Sequence, residues 1–568
     1  MLRGVVALKR VLMVGVLLAL GAAAVLAAVN ALTTARSAEA QGNPAPAVIP
    51  ALSEWHGGSG FFALDAGSRI VVDTSSATQL QSTAQTFAGD LALVIGRTLP
   101  VVVADTPAAG DLVLTLRNSD TGIGSEGYNL GVAAFIVLSA NTSTGIFYGT
   151  RSILQILAQD AKHAQIARGI ARDYAMYGER GFMLDAGRKF FTLGALEDYV
   201  KFMAWYKMND FHIHFNDNQI DAGMRSDWMH AYAAFRLNSP RFPGLAARDG
   251  SYSKQDMRQL QDLAAQYHVT ITPEIDVPAH ALALTQYRPD LANPTNAEFL
   301  DLGNPATYTF MNSIWDEFVP WFDAPTMDIG ADEYDTHDAD NYRRFINSTY
   351  AYLNHKGKTV RMWGSLSEMG SAIAVNPNIV IDLWDNSWAN PADMVHQGFH
   401  VINANGHLLY IVPHTSDTRD FHDFLDTRAL YDKWEPNIFD LANASANLPP
   451  NDPHLLGGMF DVWNDMMAAV SDGDVYARVK PAMPTIAEKL WTGPHNVLTY
   501  DQFAQLAQHI GEAPGTHLPR VPWQGSVPAA PAIAAAPGGA GASANPALAA
   551  PPHALAMAEL PRRGGRGG

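Results

Sequence analysis

The 568-residue chain carries 38 Lys and Arg against 56 Asp and Glu, a formal charge of −18 that repels phosphate backbones and makes nucleic acid a poor partner. Its hydrophobic content of 48% and aromatic content of 10% can build a large core and exclude disorder throughout. The absence of cysteine removes disulfides, thiolate nucleophiles, zinc-thiolate sites and iron–sulfur clusters, so chemistry must come from Asp, Glu, His, Tyr, Ser or Lys.

Residues 1–40 read as a signal peptide or an N-terminal anchor: Arg3, Lys9 and Arg10 precede an apolar run from Val11 to Val29, and Ala38-Glu39-Ala40 offers a cleavage site. Cleavage is the favoured reading, which makes the protein secreted or extracellular; a retained segment would anchor it to a membrane. Residues 41–49 form a linker. Residues 50–175 read as a small α+β domain, with strands at Ser68–Val72, Leu112–Leu116, Tyr128–Val132 and Ala134–Leu138 and helices at Gln79–Gly96 and Thr144–Gln159.

From residue 176 to 515 short apolar runs alternate with amphipathic stretches of helical period. Eight runs recur: Gly181–Leu184, Asp210–Phe215, Val269–Ile275, Thr326–Ile329, Thr359–Trp363, Ile379–Trp384, His400–Val412 (a strand pair or an irregular strand) and Gly457–Trp463. Strand then helix, eight times over roughly 330 residues, predicts an α/β fold, the (β/α)8 TIM barrel. Residues 524–568, nearly all Ala, Pro and Gly, read as a disordered tail.

Barrel active sites lie at the C-terminal ends of the strands, and chemistry-bearing residues collect at those positions. Asp185 and Arg188 follow the first run, His214, Asp217 and Gln219 close the second, and Glu274, Asp276 and His280 the third. The fourth ends in Asp332-Glu333-Tyr334, the fifth in Trp363, the sixth in Trp384-Asp385, the seventh near Tyr410 and the eighth in Trp463-Asn464-Asp465. Carboxylates with a ring of indoles suit a pyranose, whose apolar face stacks while its hydroxyls hydrogen-bond. Glycoside cleavage ordinarily uses two carboxyls across the scissile bond. Here the best pair, Asp332 and Glu333, is adjacent, and neighbours on an extended backbone point apart, so another division of labour is needed.

The blocks Leu184-Asp185-Ala186-Gly187-Arg188-Lys189-Phe190, Lys207-Met208-Asn209 through His212-Ile213-His214-Phe215-Asn216-Asp217-Asn218-Gln219, Pro273-Glu274-Ile275-Asp276-Val277-Pro278-Ala279-His280 and Gly330-Ala331-Asp332-Glu333-Tyr334 resemble family 20 glycoside hydrolases, the β-N-acetylhexosaminidases. The preceding domain is similar too, with Glu126-Gly127-Tyr128 and Gly145-Ile146-Phe147-Tyr148-Gly149. The resemblance implies substrate-assisted retaining catalysis, in which the 2-acetamido oxygen attacks the anomeric carbon and forms an oxazolinium ion. It implies Glu333 as general acid and then base, Asp332 as holder of the acetamido N–H, and Tyr410 as donor to its oxygen. It further implies Asp217 and His280 as the pair that adjusts the acid, Arg188 and Asp465 as binders of sugar hydroxyls, and Trp363, Trp384 and Trp463 as pocket walls. The partner is a carbohydrate, and no cofactor or metal is expected.

Several readings stay open at this stage. His212 and His214 share a strand face and are either a metal pair or hydrogen-bonded core residues. Asp185 and Asp276 are either structural acids or substrate contacts, and Trp434 is either loop packing or an outer sugar subsite. Ala331 replaces a glycine common in the family, Val412 an acid, and Asp465 a glutamate, changes that resemble the branch of lacto-N-biosidases and streptococcal surface hexosaminidases and leave room for a disaccharide. Rival functions are that disaccharide release, a metal-dependent amidohydrolase and a catalytically silent glycan-binding protein.

Overall fold

The computed structural model describes residues 42–219, 224–414, 421–466 and 470–524; residues 1–40, read above as a signal peptide or anchor, and residues 525–568 of the Ala/Pro/Gly-rich stretch lie outside them. The first domain is a seven-stranded sheet with two long helices. In chain order its elements are β1 (Glu54–Ala63), β2 (Ile70–Val72), α1 (Ala77–Ile95), β3 (Val101–Val103), β4 (Leu112–Thr115), β5 (Tyr128–Val132), β6 (Ile136–Ala140), α2 (Ser143–Gln159) and β7 (Gln165–Asp173). The strands lie in the order β1-β7-β5-β6-β4-β2-β3.

Three of these strands escape the hydrophobic pattern for identifiable reasons. β1 is mostly exposed, rich in glycine and shifts register between Gly57 and Phe61. β3 is a short edge strand with Val101 and Val103 exposed, and β7 carries Arg168 and Arg172 among its apolar residues. Period-two alternation needs one dry face and one wet face along an uninterrupted strand.

The second domain is a closed eight-stranded parallel barrel. Its elements are β8 (Glu179–Asp185), α3 (Leu193–Trp205), β9 (Asp210–His214), β10 (Asn216–Asn218), β11 (Ala233–Phe235), α4 (Lys254–Gln266), β12 (Thr270–Glu274), α5 (Leu282–Tyr287), α6 (Pro305–Phe318), β13 (Thr326–Asp328), α7 (Ala339–His355), β14 (Thr359–Trp363), β15 (Val380–Leu383), α8 (Pro391–His396), β16 (His400–Asn403), α9 (Gly406–Leu409), β17 (Tyr410–Ile411), α10 (Thr427–Lys433), β18 (Leu455–Val462), α11 (Asp472–Thr492) and α12 (Tyr500–Ile510). The wall runs β8-β9-β12-β13-β14-β15-β16-β18 and closes by parallel pairing of β18 with β8. The ambiguous seventh run resolves into the wall strand β16, the one-turn α9 and the two-residue β17, which pairs in parallel with β18 outside the main ring.

Side chains alternate in and out along each wall strand, and the inward set here is unusually polar. Asp210, His212, His214, Glu274, Asp328, Arg361, Asp382 and Asp461 are all buried. Arg361 answers several of the acids, reaching Asp382 at 2.6 Å and Asp210 at 2.7 Å. Asp461 has no hydrogen-bond partner for either oxygen among the described residues, and burial, with the charge of Asp382, raises its pKa well above the ordinary carboxylate value.

Candidate active site

The acids reach the site through a departure from extended backbone. Gly330, Ala331 and Glu333 have φ of +68°, +71° and +49°, a region that L residues with a side chain rarely adopt. Gly330 is obligatory there, because an added Cβ would fall 1.7 Å from Asp276 Oδ1. The expectation that Asp332 and Glu333 point apart is corrected by this turn: both carboxylates face one imidazole nitrogen. His280 Nε2 lies 3.4 Å from Glu333 Oε2 and 3.7 Å from Asp332 Oδ2.

Behind His280 runs a chain of charged hydrogen bonds. His280 Nδ1 is 3.1 Å from Asp217 Oδ1, and Asp217 Oδ2 accepts from Arg188 Nη2 at 2.8 Å and from His214 Nε2 at 2.9 Å. Arg188 also meets Asp185 at 3.1 Å and Asp465 at 3.4 Å, so the shorter Asp465 still reaches the arginine. Burial disfavours charge on Asp217, but Arg188, His280 and His214 outweigh it and hold its pKa well below the usual value. Burial likewise opposes the imidazolium of His280, and Asp217, Asp332 and Asp276 override it and raise its pKa well above the ordinary one. Asp332 is pushed up to about 6, by burial first and by the charge of Glu333, with His280 opposing.

Aromatic rings wall the space beside the acids. Trp363 lies 5.6 Å from Trp463 and 6.5 Å from Tyr410, and Tyr410 lies 5.7 Å from Trp463. Trp384 donates from Nε1 to the Gly364 carbonyl at 2.9 Å and packs 5.9 Å from Trp388, a mouth residue with no strand-end signal in the sequence. Burial, then Asp461 and Asp332, keep the pKa of Tyr410 well above the ordinary phenol value, so Tyr410 remains a hydrogen-bond donor.

Other expectations are corrected. Trp434 is 0% exposed, donates to the Ile438 carbonyl at 3.0 Å and belongs to the main hydrophobic core; no sugar can stack on a ring so enclosed. The room expected beside Val412 is filled, since Val412 is 2% exposed, its N–H donates to the His422 carbonyl at 2.8 Å, and Phe421 packs 5.5 Å from Tyr410. Asp185 is structural in its contacts, accepting from the backbone N–H of Arg188 at 2.8 Å and of Asn464 at 2.9 Å, which ties β8 to the end of β18. Asp276 accepts the Ala331 N–H at 3.1 Å and so braces the acidic turn.

His212 and His214 converge on Glu274 rather than on each other. Donor atoms of His212, Glu274 and Asp328, of His214, Glu274 and Asp276, and of Asp276, His280 and Asp332 cluster closely enough to suit a cation. In the first two sets, however, Glu274 already accepts three N–H bonds, from His212 at 2.9 Å, His214 at 2.7 Å and Trp363 at 2.8 Å, so ordinary hydrogen bonding explains the cluster.

Comparison with known proteins adds an independent line. The family described as glycosyl hydrolase family 20, catalytic domain, matches residues 177–494, and its domain 2 matches residues 45–174. The β-N-acetylhexosaminidase of Cellulomonas fimi is 27% identical over 472 residues, covering 79% of this chain and 90% of that protein. The lacto-N-biosidase of Bifidobacterium bifidum is 24% identical over 498 residues, covering 82% of this chain but only 42% of that much longer protein. A mutant Streptomyces plicatus β-hexosaminidase in complex with product (GlcNAc) superposes with a TM-score of 0.70 at 22% identity, covering 87% of this chain and 100% of that one. The Streptomyces coelicolor enzyme gives 0.68 at 24% identity, with 85% of this chain and 100% of that one covered; at these identities the likeness speaks to the fold.

Proposed function

This chain belongs to glycosyl hydrolase family 20, and from that premise we propose that it removes terminal β-linked N-acetylhexosamine from glycans or chitooligosaccharides, with the substrate's own acetamido group as nucleophile. One observation carries the mechanism: Asp332 and Glu333 both lie within 4 Å of the same nitrogen of His280. An acid and a nucleophile must flank the anomeric carbon from opposite faces. Adjacent carboxylates gathered by one turn onto one imidazole nitrogen form a single cluster, which suits an acid and a neighbour that orients the acetamido group, the substrate-assisted exception to the two-carboxyl scheme.

Glu333 donates a proton to the leaving oxygen as the C1–O bond breaks and the acetamido carbonyl oxygen bonds to C1. Asp332 accepts the acetamido N–H and faces the positive oxazolinium ion, while Tyr410 donates to the acetamido oxygen. Water then attacks C1 as the C1–O bond to the acetamido oxygen breaks, giving its proton to Glu333 and restoring the acetamido group. Arg188 and Asp465 hold the sugar's hydroxyls, and Trp363, Trp384 and Trp463 line the apolar side. The filled space around Val412 and Phe421 favours a single terminal sugar over a disaccharide.

Mass spectrometry of products from chitobiose, lacto-N-tetraose and N-glycan termini tests this reading, with kcat/KM on p-nitrophenyl N-acetylglucosaminide and p-nitrophenyl lacto-N-bioside as the quantitative arm. Monosaccharide release with a preference for the first glycoside is expected. A large preference for the disaccharide would overturn the specificity and keep the mechanism, whereas cleavage of neither would sink the enzymatic reading.

A further inference from the structure

Glu274 is 0% exposed, so it touches no substrate, yet a wall of the pocket and the relay behind the acids both meet at its carboxylate. Its Oε1 accepts from Trp363 Nε1 at 2.8 Å. Its Oε2 accepts from His214 Nδ1 at 2.7 Å and from His212 Nε2 at 2.9 Å. The His212 ring lies parallel to Trp363, 5.7 Å away at 16°, so two of the three bonds fix the indole that walls the pocket. The third begins the relay from His214 through Asp217 and His280 to Glu333.

We propose that Glu274 is a positioning residue that holds the acetamido-pocket wall and the relay of the general acid in register through one carboxylate. The inference rests on the functional reading above and adds to it a coupling between two parts of the site. A carboxylate accepts at both oxygens, so both imidazoles can stay donors toward it while the indole N–H is also met. A glutamine of the same shape offers one oxygen and an NH2, so with the indole on the oxygen both imidazoles must turn into acceptors toward the NH2. His214 then gives up the proton it shared with Glu274, which breaks the charged relay toward Asp217 and His280; an imidazole that stays a donor is left with an unmet bond in a dry interior.

The two arms should fall on different chemical steps. The His214 arm ends at the proton donor, so its loss weighs most on a poor leaving group. The Trp363 arm shapes the pocket in which the acetamido group closes on C1, a step common to all leaving groups. The experiment measures kcat and KM of wild type and Glu274→Gln on chitobiose and on 2,4-dinitrophenyl N-acetylglucosaminide, per competent site counted by titration with a thiazoline analogue. We expect kcat to fall by about 10- to 100-fold, the cost of misplacing reacting groups by a fraction of an ångström, with KM changed far less and the loss at least about fivefold greater on chitobiose.

Two single-arm variants carry the test should Glu274→Gln fold poorly. His214→Asn, which keeps a donor toward Glu274 and loses the link to Asp217, should lose more on chitobiose; Trp363→Phe should lose equally on both. Combining Trp363→Phe with Glu274→Gln should cost less than the product of the single losses, because both changes act on one contact. Equal loss on both substrates for His214→Asn, or near wild-type turnover per site in Glu274→Gln, would overturn the positioning role while leaving the hydrolase intact. A wild-type protein inert on both substrates would overturn both readings together.

Discussion

Two buried polar clusters, one at the seam between the domains and one at the barrel mouth, differ in how completely their hydrogen bonds are made. At the seam, Asp173 at the end of β7 accepts Lys207 Nζ at 2.8 Å, Trp491 Nε1 at 3.0 Å and the Ser53 N–H at 3.0 Å, and Lys207 also reaches the Tyr128 hydroxyl at 3.1 Å. Beside it, Arg180 grips both oxygens of Glu126 at 2.7 and 3.0 Å. At the mouth, Asp276 Oδ2, Asp332 Oδ1, Glu333 Oε1 and Asn464 Oδ1 are buried with no hydrogen-bond partner among the described residues. Polar groups that are buried and fully paired hold a structure in one arrangement. Those that are buried and incompletely paired carry an energetic cost that only a function explains.

The largest expected effects separate the clusters cleanly. Glu333→Gln should lower turnover on chitobiose by about a thousandfold, the range of a lost general acid, while the unfolding free energy stays the same or rises, since a buried carboxylate with an unmet oxygen is gone. Lys207→Met should do the reverse. It leaves the Asp173 charge uncompensated and should cost about 3–5 kcal/mol, read by urea denaturation, with kcat per competent site unchanged. A Lys207→Met protein that is stable but slow would erase the distinction.

A smaller effect sharpens the comparison through its sign. Burial works against charge on Asp173, but Lys207, Trp491 and Tyr128 outweigh it and hold its pKa below the ordinary value, so the stability it contributes is present above the unfolded pKa and lost as pH falls. Asp332 is raised to about 6. The folded state therefore binds its proton more tightly than the unfolded chain, and stability from this group falls as pH rises from about 4 to 6. The span corresponds to about 2–3 kcal/mol. Asp332→Asn should remove that slope, measured as the difference in unfolding free energy between variant and wild type at pH 4 and pH 7. Because the ionised form holds the acetamido group, kcat/KM of the wild type should climb through an apparent pKa near 6. An acid limb far below that value would contradict the raised carboxyl.

Much of the mouth was legible because barrel strands end in register. Asp185, His214, Glu274, Asp332, Trp363, Trp384 and Trp463 each announce themselves as a polar or indole residue closing an apolar run. Pairing across the barrel was not legible. That Glu274 gathers His212, His214 and Trp363 depends on which inward side chains meet across the interior, and spacing along one strand carries no such information. Nor did the pattern distinguish Trp434 from the site indoles, since a tryptophan in a loop has no face assigned by periodicity until the loop is folded against β18. The filled space at Val412 was hidden for the same reason, as Phe421 lies beyond the strand in a connecting segment.

The smallest effect concerns the turn that delivers the acids. Ala331 has φ of +71°, which costs an L residue about 1–2 kcal/mol relative to glycine. Its N–H donates to Asp276 Oδ1 at 3.1 Å, and its carbonyl accepts from the Tyr342 hydroxyl, so the peptide is clamped from both sides whatever side chain it carries. Ala331→Gly relieves the strain and removes one buried methyl, worth roughly 0.8 kcal/mol. The difference should stabilise the protein by up to about 1 kcal/mol, read as a shift in the urea midpoint, with kcat within about twofold of wild type because the clamp still sets Asp332 and Glu333 on His280. A large fall in kcat at unchanged stability would mean that the methyl, rather than the two hydrogen bonds, holds the acids in place. The mouth would then owe its geometry to packing, as a hydrophobic core does, and the contrast with the hydrogen-bonded seam would have to be redrawn.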